Sequence, residues 1–255
     1  VACGGFSAIC GSSIATAATM AKVAMPPMRR YGYSDQLASG AIAAGGTLGI
    51  LIPPSVILVL YGIMVRQDIG KLFVAGILPG LLGILFYVGA VRIVVMLKPK
   101  AGPAAERFSW RSRGRALFQV WPVSSLFILV IGGIYFGIFT PTEAGGIGAS
   151  GAFLIALISR QLTFKRLFEI LAETATTTSV LFFVLIGALI FADFINETDM
   201  PNQLASIIRD KNMSPMIVLL VILLIYLALG CVFESISMIL LTVPVFVPIV
   251  SELGF

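Results

Sequence analysis

No histidine occurs in the sequence. That absence removes Ser-His and Cys-His nucleophile pairs and His-metal centres together. Charge is scarce too. The 17 Lys and Arg and 12 Asp and Glu amount to 11% of the chain, where a soluble domain carries about 25%. The acidic residues are scattered singly, so paired carboxylates for acid–base work are missing as well. Cys3, Cys10 and Cys231 show no CxxC spacing and lie in apolar surroundings. They read as small buried hydrophobes rather than redox or metal groups.

What is present is apolar. Hydrophobic residues make up 58% of the 255 positions, and mean hydropathy is +1.04. The apolar runs are continuous rather than alternating, and several reach the roughly 20 residues a membrane-spanning helix needs. Only helices and closed barrels satisfy the backbone in lipid, so the expected fold class is an all-α polytopic membrane protein. The net charge of +5 then belongs to short loops that set orientation, and a nucleic-acid partner is not expected. Val1 is not a start residue and Phe255 follows an apolar run directly, so the chain is expected to be a segment of a longer protein.

The hydropathy pattern divides the chain. Residues 1–28 form a helical region interrupted at Gly11-Ser12-Ser13 and ending at Pro26-Pro27. Residues 38–63 are apolar but contain three glycines and Pro53-Pro54. Spans are expected at 72–97, 117–139, 142–159 and 173–196. A basic linker, 98–116, carries Lys98, Lys100, Arg107, Arg111, Arg113 and Arg115 against Glu106. Residues 161–172 read as an amphipathic helix lying in the membrane interface, and 197–213 as a polar loop. Residues 214–251 are apolar, interrupted between Gly230 and Ile236. Placing the linker in the cytoplasm puts Arg29, Arg30, Arg160, Lys165 and Arg166 on the same side, as the positive-inside rule asks.

The two interrupted segments resemble each other. At an offset of 222, Ser13-Ile14 falls on Ser235-Ile236, Pro26 on Pro248, Gly32 on Gly254 and Tyr33 on Phe255. Both read as re-entrant hairpins, one entering from each side, and repeats of opposite orientation mark secondary transporters. The organisation is therefore expected to be a first hairpin and broken helix (1–63), a scaffold of spans, linker and interfacial arm (64–213), and a second hairpin (214–255).

Pro53 and Pro54 lack backbone N–H groups, so a helix through 38–63 must break and leave carbonyls without partners. Irregular backbone at membrane depth is tolerated where it lines a protein-buried cavity. Free carbonyls suit Na⁺, and helix N-termini attract carboxylates. Gly45, Gly46 and Gly49 let backbones approach, and Thr47 and Ser55 add hydroxyls. Ser12, Ser13 and Thr16 are either ion ligands or hydroxyls bonded within their own helix.

The other polar residues read as structural. Thr140-Pro141-Thr142-Glu143 fits a capping box. Gly145, Gly146, Gly148 and Gly151 suggest close helix packing. Trp110 and Trp121 read as interfacial anchors, and Asp193 sits near an outer helix end. Glu234, at the second tip, is expected to hold polar or cation contacts in a hydrated place.

The run GSSIATAATMAKVAMPPMRRYGY at 11–33, followed by GGTLGILIPPS at 45–55, resembles the DctM-like large membrane subunit of tripartite ATP-independent periplasmic (TRAP) transporters. GIFTPTEAGGIGA at 137–149, TFKRLFEILAETA at 163–175 and GCVFESISMILLTVPVFVPIVSELGF at 230–255 agree with it. The resemblance implies a sodium-driven elevator importer of an organic anion in the bacterial inner membrane. Its partners would be a small four-helix membrane subunit and an extracytoplasmic substrate-binding protein; no cofactor is implied beyond Na⁺ as coupling ion. By position it implies sodium ligation by Gly11, Ser12, Ser13, Thr16, Gly45, Gly46, Thr47, Gly230 and Glu234. It implies substrate contacts from Ser13, Pro54, Ser55, Glu234 and Ser235. Glu234 stands where such proteins often carry Asp, and the broken helix after the second hairpin would lie beyond Phe255. The rival readings are a citrate-type symporter that needs no binding protein, an intramembrane enzyme, and a passive channel or scaffold.

Overall fold

The computed structural model describes residues 2–103, 109–160, 162–211 and 213–254. Glu106 and Arg107 of the linker, and Phe255, lie outside the described residues. Twelve α-helices are described and no strand among the described residues. In chain order they are α1 (Ala2–Cys10), α2 (Ser13–Arg30), α3 (Asp35–Thr47), α4 (Val56–Val65), α5 (Ile69–Leu97) and α6 (Trp110–Gln119). Then come α7 (Trp121–Tyr135), α8 (Pro141–Ile158), α9 (Phe164–Glu197), α10 (Met200–Asp210), α11 (Pro215–Leu229) and α12 (Ser235–Glu252). By length and composition α5, α8, α9 and α12 suffice to cross a membrane, whereas α4, α7 and α11 are shorter apolar helices.

Helix starts are set by side-chain caps, because the first N–H groups of a helix have no internal partner. Ser12, Ser34 and Asp68 accept from the backbone N–H groups of Ala15, Leu37 and Lys71 at 3.5, 3.3 and 3.0 Å. Thr140 and Glu143 form the full capping box of α8: Glu143 N–H donates to Thr140 Oγ1 (3.3 Å), and Thr140 N–H donates to Glu143 Oε2 (2.7 Å).

The chain separates into two compact units. In the first (Val1–Val59 with Asp68–Leu162), α2 packs along α3, and Met20, Ala38, Ile42 and Leu48 are buried. α7 and α8 form a second packed pair. Gly133 leaves room for the Phe139 ring and Gly151 for Leu126, and Gly148 faces Val130. Gly145 and Gly146 have nothing within 4 Å of a built Cβ, so of the four glycines expected at a helix contact only Gly148 and Gly151 are used there.

The second unit comprises Leu60–Gln67 and Thr163–Phe255. Val218, Ile222 and Ile249 are buried together, joined by Leu204, Ile208 and Phe246. Thr242 donates its hydroxyl to the Met238 carbonyl at 2.7 Å. It therefore accepts from the Tyr226 hydroxyl (2.6 Å), tying α11 to α12.

Two sequence readings are corrected in this unit. Residues 197–213 are not a loop. Met200–Asp210 is an amphipathic helix with Pro201 and Ala205 buried. The arm at 161–172 is not a separate interfacial helix, because α9 runs unbroken for 34 residues. No Gly or Pro interrupts 164–186, and the hydroxyls of Thr174 and Thr176 bond back to Ile170 and Ala172 carbonyls at 2.7 and 2.9 Å. The cysteine reading is corrected too: Cys3 and Cys10 are half-buried and Cys231 is exposed.

The internal repeat is visible in the element boundaries. α2 and α12 are both 18 residues long, and their first and last residues are 222 positions apart. The N-caps Ser12 and Glu234 correspond, as do Gly32 (φ +78°) and Gly254 (φ +86°), which follow the two helices.

Spin labels at Lys165 and Leu189 are expected about 36 Å apart along the continuous α9. A markedly shorter distance by pulsed electron resonance would restore an elbow between arm and span.

Candidate functional site

The first unit brings the helix break and the first hairpin tip together. α3 ends at Thr47 and passes into a single 3-10 turn, Leu48–Ile50. Residues 51–55 are irregular, with a cis Pro53-Pro54 bond, before α4 begins. Neither proline can donate to the carbonyl four residues earlier. Ser55, only 1% exposed, replaces one lost donor: its hydroxyl donates to the Ile50 carbonyl at 2.9 Å.

The tip between α1 and α2 is Gly11-Ser12. Gly11 has φ +63°, a backbone region that a side chain strains. It also leaves no room for one: a Cβ there would sit 2.9 Å from the Pro54 carbonyl oxygen. The Val56 N–H donates to the Gly11 carbonyl at 3.4 Å. Tip and break thus share a backbone hydrogen bond. Further along, a Cβ on Gly49 would lie 2.9 Å from the Ser12 carbonyl oxygen and 3.1 Å from Thr16 Oγ1. One on Gly46 would lie 3.0 Å from the Ser13 carbonyl oxygen. Gly45 meets Cys3 instead, so its neighbour is α1 rather than the tip.

Thr16 is the anomaly of this region. It is 0% exposed, and its hydroxyl has no hydrogen-bond partner among the described residues. Burying a hydroxyl unpaired is costly, and such a group in a native fold calls for a water or an ion. Around it lie the Ser12 carbonyl and Gly49, a small cradle of oxygen that a Cβ at residue 49 would fill. An oxygen-only donor set suits a hard cation such as Na⁺ and offers nothing to a thiophilic metal.

Gly11, Ser12, Ser13, Thr16, Gly46, Pro54 and Ser55 therefore fall around one contact. Thr47 does not. It is exposed, donates to the Ala44 carbonyl and shares a hydrogen bond with the Tyr87 hydroxyl, each at 2.8 Å. Gly230, Glu234 and Ser235 belong to the second unit. Gly230 follows α11 with φ −64°, an ordinary helical value. Glu234 is the exposed N-cap of α12, accepting from Ile236 and Ser237 N–H groups at 2.8 and 3.3 Å. Both bonds go to Oε2. Ser235 is the first residue of α12.

Of the three glycines that sequence marked for close approach, Gly46 and Gly49 meet the tip and Gly45 does not, and the spacing of GGTLG alone does not distinguish them. One contribution was missed from sequence: the break is also seated on α5. A Cβ on Gly76 would lie 2.8 Å from the Leu51 carbonyl oxygen, and one on Gly80 2.8 Å from Ile52. The small-xxx-small spacing of Gly76 and Gly80 was the available signal.

These contacts set a mutational contrast. Gly49→Ala is expected to cost about 1–3 kcal/mol, as overpacking does. Gly40→Ala, in α3 with nothing within 4 Å, is expected to be neutral or to gain up to about 1 kcal/mol. Melting of the two purified variants checks the order; equal melting would mean that the break does not touch the tip.

The comparisons with known proteins give the family. The family model of the tripartite ATP-independent periplasmic transporter, DctM component, matches residues 1–255. The chain is 36% identical over 256 residues to the C4-dicarboxylate TRAP transporter large permease protein DctM of Pseudomonas aeruginosa, covering 100% of this chain and 59% of that protein. It is 34% identical over 250 residues to the sialic acid TRAP transporter large permease protein SiaM of Vibrio cholerae (98% and 58%). A third relative, the ectoine/5-hydroxyectoine TRAP transporter large permease protein UehC of Ruegeria pomeroyi, is 33% identical over 261 residues (99% and 59%). The chain thus spans about three-fifths of the length of these relatives. With its apolar helices and its hairpin-bound break, this chain is a multi-pass membrane protein that belongs to the DctM-component family of TRAP transporters.

Proposed function

We propose that the chain is the ion-coupling part of a large TRAP permease subunit that imports an organic anion with Na⁺ across the bacterial inner membrane. It would work with a small four-helix membrane subunit and an extracytoplasmic substrate-binding protein. The relatives support a permease and leave the substrate open, since they are named for C4-dicarboxylate, sialic acid and ectoine. The observation that carries the sodium reading is the buried, unpartnered Thr16 hydroxyl beside the Ser12 carbonyl and Gly49.

In this reading the ion enters where α2 begins. The Thr16 hydroxyl and the carbonyl oxygens at the tip face it, and Gly46 and Gly49 keep the space open. The substrate carboxylate approaches the N-terminal end of α2 or α4, where backbone N–H groups and the helix dipole favour negative charge. Ser13, Pro54 and Ser55 stand at those two ends. Binding of Na⁺ would hold tip and break together, so that the hairpin and its broken helix travel as one body past a scaffold. In the second hairpin Glu234 Oε1, which takes no part in the cap, is free for a polar contact of the same kind.

Thr16→Val tests the assignment, because it removes the oxygen and keeps the shape. Folding is expected to be unchanged or slightly improved, since an unpaired hydroxyl is lost. In the reconstituted transporter, the sodium concentration for half-maximal uptake is expected to rise about tenfold or more, the loss of one ion–oxygen contact of roughly 1.5 kcal/mol. Uptake with an unchanged sodium dependence would remove Thr16 from the site.

A further inference from the structure

We propose that the groove between α2, α3 and α5 holds one acyl chain of an anionic phospholipid of the cytoplasmic leaflet, with its phosphate at Lys98 and Lys100. The groove encloses about 860 Å³ and runs from Leu48 and Ile84 past Ala44 and Val91 to Lys98. Its wall is apolar along most of that length. From Ile84 to Lys98 the helix rises about 21 Å, against roughly 15 Å for one leaflet, half of the bilayer's hydrocarbon core. The groove is therefore long enough to take a chain from headgroup level to the midplane.

The mouth is chemically different. A second hollow of about 490 Å³, lined by Ser34, Gln36, Lys98 and Lys100, adjoins the first and shares Ser34, Gln36, Lys98 and Ala101 with it. A backbone bond from Ser34 N–H to the Ala101 carbonyl (2.9 Å) fixes this end. Asp35, between Ser34 and Gln36, is held by Arg29 at 2.7 Å. Among the described residues neither Lys98 nor Lys100 has an ion pair. Two ammonium groups without an ion pair among the described residues, lining one hollow with a hydroxyl and an amide, match a phosphate. They lie at the end of the molecule that carries Arg29 and Arg30, which the positive-inside rule places at the cytoplasmic surface. That is the leaflet where anionic lipid gathers and where basic pockets between helices take its headgroups.

The groove sits between the α2–α3 pair and α5. A lipid there fills space beside helices that the transport reading requires to move, yet the inference rests only on the groove and its charges. Its readout is bound lipid, not uptake.

The test uses the complete transporter in nanodiscs of phosphatidylcholine and phosphatidylglycerol, with retained lipid identified by native mass spectrometry. Wild type is expected to retain phosphatidylglycerol selectively. Lys98→Gln with Lys100→Gln is expected to weaken retention about 30-fold, at about 1 kcal/mol for each lysine near the headgroups. The Lys98→Arg, Lys100→Arg pair is expected to keep it. Gly40→Leu, whose side chain would enter open space in the groove, is expected to abolish retention while the lysines remain. Equal retention by wild type and all variants would overturn the proposal, as would equal retention of the two lipids. So would a photocrosslinker at Val91 that captures another protein segment instead of lipid.

Discussion

Two adjacent residues without a backbone N–H organise the first unit. Pro53 and Pro54 stop α3 from continuing into α4, and everything nearby answers the carbonyls and space they leave. Ser55 returns one hydrogen bond to the Ile50 carbonyl. The tip of the α1–α2 hairpin supplies another contact, the Gly11 carbonyl accepting from Val56 N–H. α5 closes the far side with glycines against Leu51 and Ile52. In hydrocarbon an unpaired backbone group costs several kcal/mol, so a break of this kind persists only if a second element covers it. Tip and break are therefore one structural unit. Among the described residues, the buried side-chain oxygen that this mutual cover leaves without a partner is the Thr16 hydroxyl.

The helix that follows the tip occurs twice in the chain. α2 and α12 have equal length and matched caps and end in the same left-handed glycine. The tips before them differ: Gly11-Ser12 is a two-residue link, whereas Gly230 to Glu234 is longer and carries the acid. Ser12 and Glu234 occupy equivalent cap positions, and the longer, charged side chain adds an oxygen beyond those needed for the cap. The two hairpins thus share a frame and differ in the chemistry at the helix start.

Much of this was legible because membrane helices announce themselves in hydropathy and because prolines and caps act locally. The repeat boundaries, the Thr140–Glu143 capping box and the position of the break needed only short-range pattern. What sequence did not show was tertiary. The α10 helix carries Asn202 and Gln203 early in its run, and its apolar side becomes clear only once Leu204 and Ile208 meet Val218 and Ile222. α9 was divided because the basic residues near its start suggested an interface, while nothing in the backbone ends the helix there. Gly49 differs from Gly45 only in what faces it, the tip in one case and Cys3 in the other. Thr47 carries the right atom and turns it toward Tyr87.

As a cation-binding unit, tip and break would be stabilised by Na⁺. The most direct measurement is thermal unfolding of the assembled transporter in NaCl and in choline chloride at equal ionic strength, without substrate. Binding of Na⁺ to the native state stabilises it by mass action, about 2.7 kcal/mol at a hundredfold excess over Kd. The melting temperature is expected to climb with sodium concentration. Identical melting in the two salts at every concentration would contradict it.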